Sequence, residues 1–169
     1  MRRHLVFVLV VAAVIGCRAS GRPLEEPKKS DTPKEKAEFK LTADEQAVLD
    51  ATNAERKLAK LDPLMIDPKL TEAARSHAEN MAKQEKLDHT LDEKTVADRV
   101  KAAGYTFSRV GENIAWNQQT PKEAVAAWMD SAGHKENLLH IEYKHIGVAV
   151  AKNKKGEPYW VQVFGAPLK

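Results

Sequence analysis

Apolar side chains through the first two thirds of the folded part of the chain recur every three to four residues, the spacing of amphipathic helices. Thr42-Ala-Asp-Glu45 has the form of a capping box, and the helix it opens runs to about Ala59. Ala47, Ala51, Ala54 and Leu58 lie along one side of it, with Val48, Thr52 and Ala59 beside them. Asp67-Pro68 sets an N-cap and an N1 proline ahead of a second helix to about Lys86, striped by Leu70, Ala74, His77 and Met81. Val96, Val100 and Ala103 predict a third, shorter helix that Gly104 stops. Thr120-Pro121-Lys122-Glu123 joins a capping box to an N1 proline, the clearest helix start in the chain, with Ala124, Val125 and Trp128 on its inner face. After Gly133 the period changes to two. Ile146, Val148 and Val150 alternate with Gly147, Ala149 and Ala151, Asn153-Lys-Lys-Gly156 marks a turn, and Tyr159, Val161 and Val163 alternate with Trp160, Gln162 and Phe164. A weaker strand falls within 105–115. Helices first and a late antiparallel hairpin predict an α+β domain rather than a doubly wound parallel one.

Composition divides the 169 residues into three regimes. Met1-Arg2-Arg3-His4 is a basic start, and an unbroken apolar run follows from Leu5 to Ile15. That run is shorter than the roughly 20 residues of a spanning helix, so residues 1–16 are expected to be a signal peptide. Val14-Ile15-Gly16-Cys17 resembles the lipobox of bacterial lipoproteins, which makes Cys17 the new first residue and the carrier of the lipid. Two acyl chains bind a membrane stably, so the protein is expected to be extracytoplasmic and lipid-anchored to the cell envelope. Residues 17–40 then serve as a flexible charged tether with Pro23, Pro27 and Pro33 and almost nothing to bury. Residues 41–169 form the one domain; its roughly 130 residues are enough for a single core. Cys17 is the only cysteine, so no disulfide staples this domain and packing alone must hold it.

Charge excludes some partners. The net +3 includes Arg2 and Arg3 of the leader; without those two, 25 of the 27 basic side chains face 24 acids. A balance of +1 does not point to nucleic acid or an anionic surface. Attachment to the membrane is expected through Cys17 alone, and the domain is expected to be monomeric.

Three polar residues stand out in the domain. His89 lies in Leu87-Asp88-His89-Thr90, Glu112 in Val110-Gly-Glu-Asn-Ile-Ala115, and His134 in Trp128-Met-Asp-Ser-Ala-Gly-His134. Two imidazoles and a carboxylate suit a divalent metal with an open position, or an acid/base pair. Each also has a plainer reading. Glu112 with Asn113 could tie a loop together through backbone N–H groups. His134 after Gly133 could sit as a cation at a helix end. His77, on the apolar stripe of the second helix, reads first as a hydrogen-bonded core or cleft-wall histidine. Trp116, Trp128 and Trp160 read as core and cleft walls, and His140 and His145 flank the hairpin without an evident partner. A Ser131-His134-Glu112 hydrolase triad can be drawn, but no Gly-x-Ser-x-Gly elbow accompanies it, and no His-Glu-x-x-His marks a zinc peptidase.

The order of motifs carries more than any of them singly. Asn53-x-x-Arg56, Pro63-Leu64, Ala78-x-x-Met81, Leu87-Asp-His89, Gly104-Tyr105, Gly111-Glu112-Asn113-Ile114-Ala115, Trp128-Met-x-Ser131-x-Gly133-His134-x-x-Asn137, Ile146-Gly147-Val148 and Trp160-Val-Gln-Val-Phe164 together resemble the CAP superfamily. That family holds the cysteine-rich secretory, antigen 5 and pathogenesis-related proteins, and this chain resembles its disulfide-free bacterial branch. The resemblance implies a three-layer α-β-α sandwich around a small antiparallel sheet, with a cleft where two histidines and two glutamates meet. His89, Glu112 and His134 match three of the four; Ser131 stands where the family has its second glutamate, and Asp130 beside it would point elsewhere on a helix. The remaining His-Glu-His set is still compatible with one Zn²⁺ and open water positions. The implied function is a cleft-based binding module for a lipid, an envelope component or a partner protein, rather than an enzyme. The alternative is a metal-assisted hydrolase acting on an envelope or peptide substrate, with His89 or His134 as base and Glu112 orienting it.

Overall fold

The computed structural model describes residues 39–168. The signal peptide, the lipid-carrying role of Cys17 and nearly all of the tether, each an expectation from the sequence, lie outside the described residues. Helix α1 spans Ala43–Leu58, strand β1 Met65–Ile66, α2 Pro68–Gln84, α3 Val96–Ala102, β2 Phe107–Trp116, α4 Pro121–Asp130, α5 Ala132–Leu138, β3 His145–Lys152 and β4 Pro158–Pro167. Among the described residues no helix is long and apolar enough to cross a membrane.

The helix starts follow the local chemistry of their caps. Thr42 and Glu45 close a reciprocal capping box, Thr120 and Glu123 another, and Asp67 accepts from the backbone N–H groups of Lys69 and Leu70 ahead of Pro68. A third box, Thr95 with Asp98, opens α3. The buried face of α1 differs from its alanine stripe. Val48, Leu49 and Thr52 face the core together with Glu45 and Arg56, while Ala47, Ala54 and Leu58 are exposed. The two charges can turn inward because each is paired there. Arg75 grips the Glu45 carboxylate through Nε and Nη2, and Arg56 donates to the carbonyls of Asp62, Leu138 and His140.

The sheet runs β1-β3-β4-β2. Strands β3 and β4 form the expected hairpin, and β2 pairs antiparallel with the far side of β4, Glu112 opposite Val163 and Asn113 opposite Gln162. The short β1 adds a parallel pairing, Met65 with His145, so the sheet is antiparallel except at that edge. Helices cover both faces. Val48, Leu49, Val125, Trp128 and Leu138 pack on Ile146, Val148, Trp160 and Phe164; Leu70, Ala74, Met81 and Val100 pack on Ala149, Tyr159, Val161 and Val163. Strand β4 is therefore buried from Pro158 to Ala166, as a central strand in a three-layer sandwich must be. The outer edge of β2 is occupied by side chains: Asn137 Nδ2 donates to the Glu112 carbonyl at 3.2 Å and Trp128 Nε1 to that of Ile114 at 3.1 Å.

Helix α5 is not foreseen by the apolar pattern. It is seven residues long, Ser131 gives it no side-chain cap, and Leu138 is its only buried residue. His134 consequently sits in the first turn of α5, not at a helix C-terminus, which removes its reading as a helix-end cation.

Candidate functional site

The two-residue period of β2 separates its polar pair. Glu112 faces the α2/α3 layer and Asn113 faces α5, because successive strand residues point to opposite faces. Gly111 precedes them without a side chain for a packing reason: a Cβ there would collide with the Tyr143 hydroxyl and lie 2.9 Å from Asn137 Oδ1.

Glu112 is buried, and its two oxygens have separate partners. Oε2 accepts from Arg99 Nη2 at 2.6 Å, and Oε1 lies 2.9 Å from His89 Nδ1. His77 Nε2 is 3.8 Å from the same Oε1. The His89 ring is 54% exposed while the carboxylate behind it is 2% exposed, so the pair joins a buried anion to an imidazole at the surface. Given the carboxylate at Nδ1, the neutral ring carries its proton there and keeps an unprotonated Nε2.

His77 is 1% exposed, and neither ring nitrogen makes a hydrogen bond of good geometry. Burial pushes it below the usual imidazole range; the Glu112 carboxylate opposes that, Arg99 adds to it, the Asp88 backbone opposes, and His89 adds a last small push. It walls the site from inside, and the hydrogen bonds expected of a core histidine are missing. His134 is half-buried, and burial followed by the nearness of His89 lowers it too.

On the other face of β2 a chain of buried amides ties the site to the core. Asn113 Nδ2 donates to the His134 carbonyl at 3.0 Å and to Gln162 Oε1 at 3.2 Å, and Gln162 Nε2 donates to Thr52 Oγ1 at 2.6 Å. Asn137 Nδ2 donates to Asn113 Oδ1 at 3.1 Å. These bonds locate the backbone of α5 beside Glu112, so His134 is held through its carbonyl and not through its ring.

Ser131 lies at the junction of α4 and α5 and makes no side-chain hydrogen bond to His134. Glu112 is engaged by His89 and Arg99, so the drawn Ser131-His134-Glu112 relay is not formed. Asp130 ends α4 exposed. His145 does have a partner. Tyr105, whose hydroxyl is pushed up to about 12 by burial and then by Asp67, meets His145 Nδ1 at 2.8 Å. His140 bonds locally, its Nδ1 accepting from the Glu142 N–H at 3.3 Å.

Arg99 is the site residue that pattern reading passes over. Its side chain is 7% exposed and pairs with Glu112. A signal was available: Val96, Arg99, Val100 and Ala103 fall at i, i+3, i+4 and i+7, which puts the arginine on the inner stripe of α3. Among the described residues no three His, Cys, Asp or Glu side chains converge as a metal-ligand group.

Comparison with known proteins agrees with this architecture. The chain is 38% identical over 125 residues to the Bacillus subtilis protein YkwD, an alignment spanning 73% of this chain and 48% of that one. With the B. subtilis membrane protein YlbC it shares 33% over 124 residues, 73% of this chain and 34% of the other, so the chain spans half or less of the length of these relatives. Among solved structures, an outer surface protein from Borrelia burgdorferi superposes with a TM-score of 0.71 at 25% identity, covering 77% of this chain and 97% of that one. An extracellular SCP-domain protein from Bacillus anthracis gives 0.67 at 26%, covering 76% and 45%. Residues 49–164 match the cysteine-rich secretory protein family, CAP, and with the layered sheet and the His89–Glu112 pair in place the chain belongs to that family.

Proposed function

We propose that this chain is an extracytoplasmic CAP-domain protein, anchored to the envelope through lipidated Cys17, whose cleft around His89, Glu112, Ser131 and His134 binds a ligand: a lipid, an envelope component or a partner protein. Support for the location comes from relatives that are an outer surface protein of B. burgdorferi and an extracellular protein of B. anthracis. The lone cysteine at the end of the apolar leader supports the anchor. The observation that carries the cleft reading is the buried Glu112 holding a half-exposed His89 by Nδ1. The bond leaves Nε2 of a surface imidazole facing outward, the arrangement a ligand-facing histidine needs.

Should Zn²⁺ bind at this site, the contacts of Glu112 limit the part its carboxylate can take. Both Glu112 oxygens already have partners, so the carboxylate would stand behind His89, while His89 Nε2 and His134 would be the ligands. Bound there, Zn²⁺ would supply a fixed positive charge with open coordination positions. Dialysis against Zn²⁺ followed by metal counting on wild type and on the His89→Ala/His134→Ala double variant tests it. Equal metal in the two proteins removes the metal from the proposal.

An imidazole oriented by a carboxylate is also a general base, and the same 2.9 Å contact favours the hydrolase as a second reading. Turnover of peptidoglycan or peptide substrates that Glu112→Gln abolishes with the fold intact would select it. No turnover, with ligand binding retained, selects the binding module.

A further inference from the structure

The loop that carries His89 is fastened at two places. Asp92 accepts from Asn80 Nδ2 at 2.9 Å and from Gln84 Nε2 at 3.1 Å, both on α2. Arg99 reaches back from α3 with Nη1, donating to the carbonyls of Lys94 at 2.7 Å and of His89 itself at 3.1 Å. The other arm of the same guanidinium, Nη2, holds Glu112 Oε2. Arg99 Nε is buried without a hydrogen bond, so the fork is set by its two outer nitrogens at the expense of the inner one. His89 is therefore held twice by one side chain, directly through its backbone carbonyl and indirectly through the carboxylate at Nδ1.

We propose that Arg99 is the positioning residue of the cleft: its guanidinium registers the His89 loop against Glu112, and so fixes the ring of His89 in the tautomer that presents an unprotonated Nε2 outward. This rests on the reading of His89 as the ligand-facing group. A residue that only balanced the buried Glu112 charge could be any cation. An ammonium is a point charge without a planar fork, so Arg99→Lys keeps the charge and loses the two-armed span.

The test uses the full chain in detergent, with ¹⁵N-labelled histidine, at about pH 8, where an ordinary imidazole is neutral. Two-bond ¹H–¹⁵N spectra report the tautomer of each ring, and His89→Gln identifies the His89 signals. Wild type should show the Nδ1–H form at His89, and Arg99→Lys should return it to the mixture of an unconstrained imidazole while the other histidines stay unchanged. Zn²⁺ titrated into the same samples should bind about tenfold more weakly to the variant, the usual consequence of releasing a group behind a ligand. An Nε2–H tautomer in wild type overturns the proposal, and so does an unchanged Nδ1–H tautomer in Arg99→Lys. Should Arg99→Lys fail to fold, Arg99→Gln with Glu112→Gln leaves no buried charge unpaired, and its amide oxygen can still accept from His89. Glu112→Gln alone is its reference: a tautomer more mixed in the double variant than in Glu112→Gln supports the role of the arginine, and the same tautomer in both refutes it. Wild type that takes up no Zn²⁺ counts against the metal reading alone, because the tautomer result judges Arg99 without any metal.

Discussion

The bond between Thr52 on α1 and Gln162 on β4 lends itself to a double-mutant cycle. Both residues are fully buried, and Gln162 Nε2 donates to Thr52 Oγ1 at 2.6 Å. Thr52→Val preserves shape and leaves the Gln162 amide donor without an acceptor, which costs about 2 kcal/mol for a buried unpaired N–H. The Val48 carbonyl, to which the Thr52 hydroxyl donates, keeps its own helical partner and adds little. Gln162→Leu instead strands one N–H of Asn113, whose other N–H stays on the His134 carbonyl, again about 2 kcal/mol. In the double variant the Gln162 donor no longer exists, so only the Asn113 N–H is stranded and the total remains about 2 kcal/mol rather than about 4. The coupling energy is then about 2 kcal/mol, inside the range for residues in one network. Urea unfolding reads it: with a slope of about 2 kcal/mol per molar, each single variant and the double should lose roughly 1 M in midpoint. Additive losses, with a coupling under about 0.5 kcal/mol, would show that this polar chain does not act as a unit and refute the reasoning.

Further outcomes follow from single positions. A Cβ on Gly147 would collide with backbone atoms of Leu70 and Thr71, so Gly147→Ala must push α2 off the sheet. It should cost about 3 kcal/mol, near the top of the overpacking range, and lower the melting temperature by roughly 10 °C. Gly133 meets nothing within 4 Å, and Gly133→Ala in α5 should leave the melting temperature level or raise it slightly; equal behaviour of the two variants would contradict this packing. Burial holds His77 below its unfolded value of about 6.5. Between the two values the unfolded chain binds more protons, so stability is complete above about pH 6.5 and declines as pH falls through that window. Urea midpoints at about pH 7.5 and 5.5 should differ less in His77→Gln than in wild type, with His134 responsible for part of the remainder. An identical difference in both proteins would place the titration elsewhere.

Within the described residues, the local signals of the chain determined most of its elements. The capping boxes at Thr42 and Thr120 and the Asp67-Pro68 start each opened a helix where expected, because a cap is satisfied by residues three positions away and needs no distant partner. The period of two found the hairpin for the same reason, and the motif order already pointed to the CAP fold. What the tertiary structure decided is what depends on residues far apart in the chain. Strand β1 is two residues long and exists only by pairing with β3, and α5 has no cap to announce it. Glu45, Arg56 and Arg99 are charged residues on amphipathic helices, yet each is buried. A charge enters the core only when a distant partner meets it, Arg75 for Glu45, the Leu138 and His140 carbonyls for Arg56, and Glu112 for Arg99. His89 and Glu112 were legible as candidates by type. That one holds the other, with Arg99 bound to both, follows only from folding three segments onto one edge of the sheet.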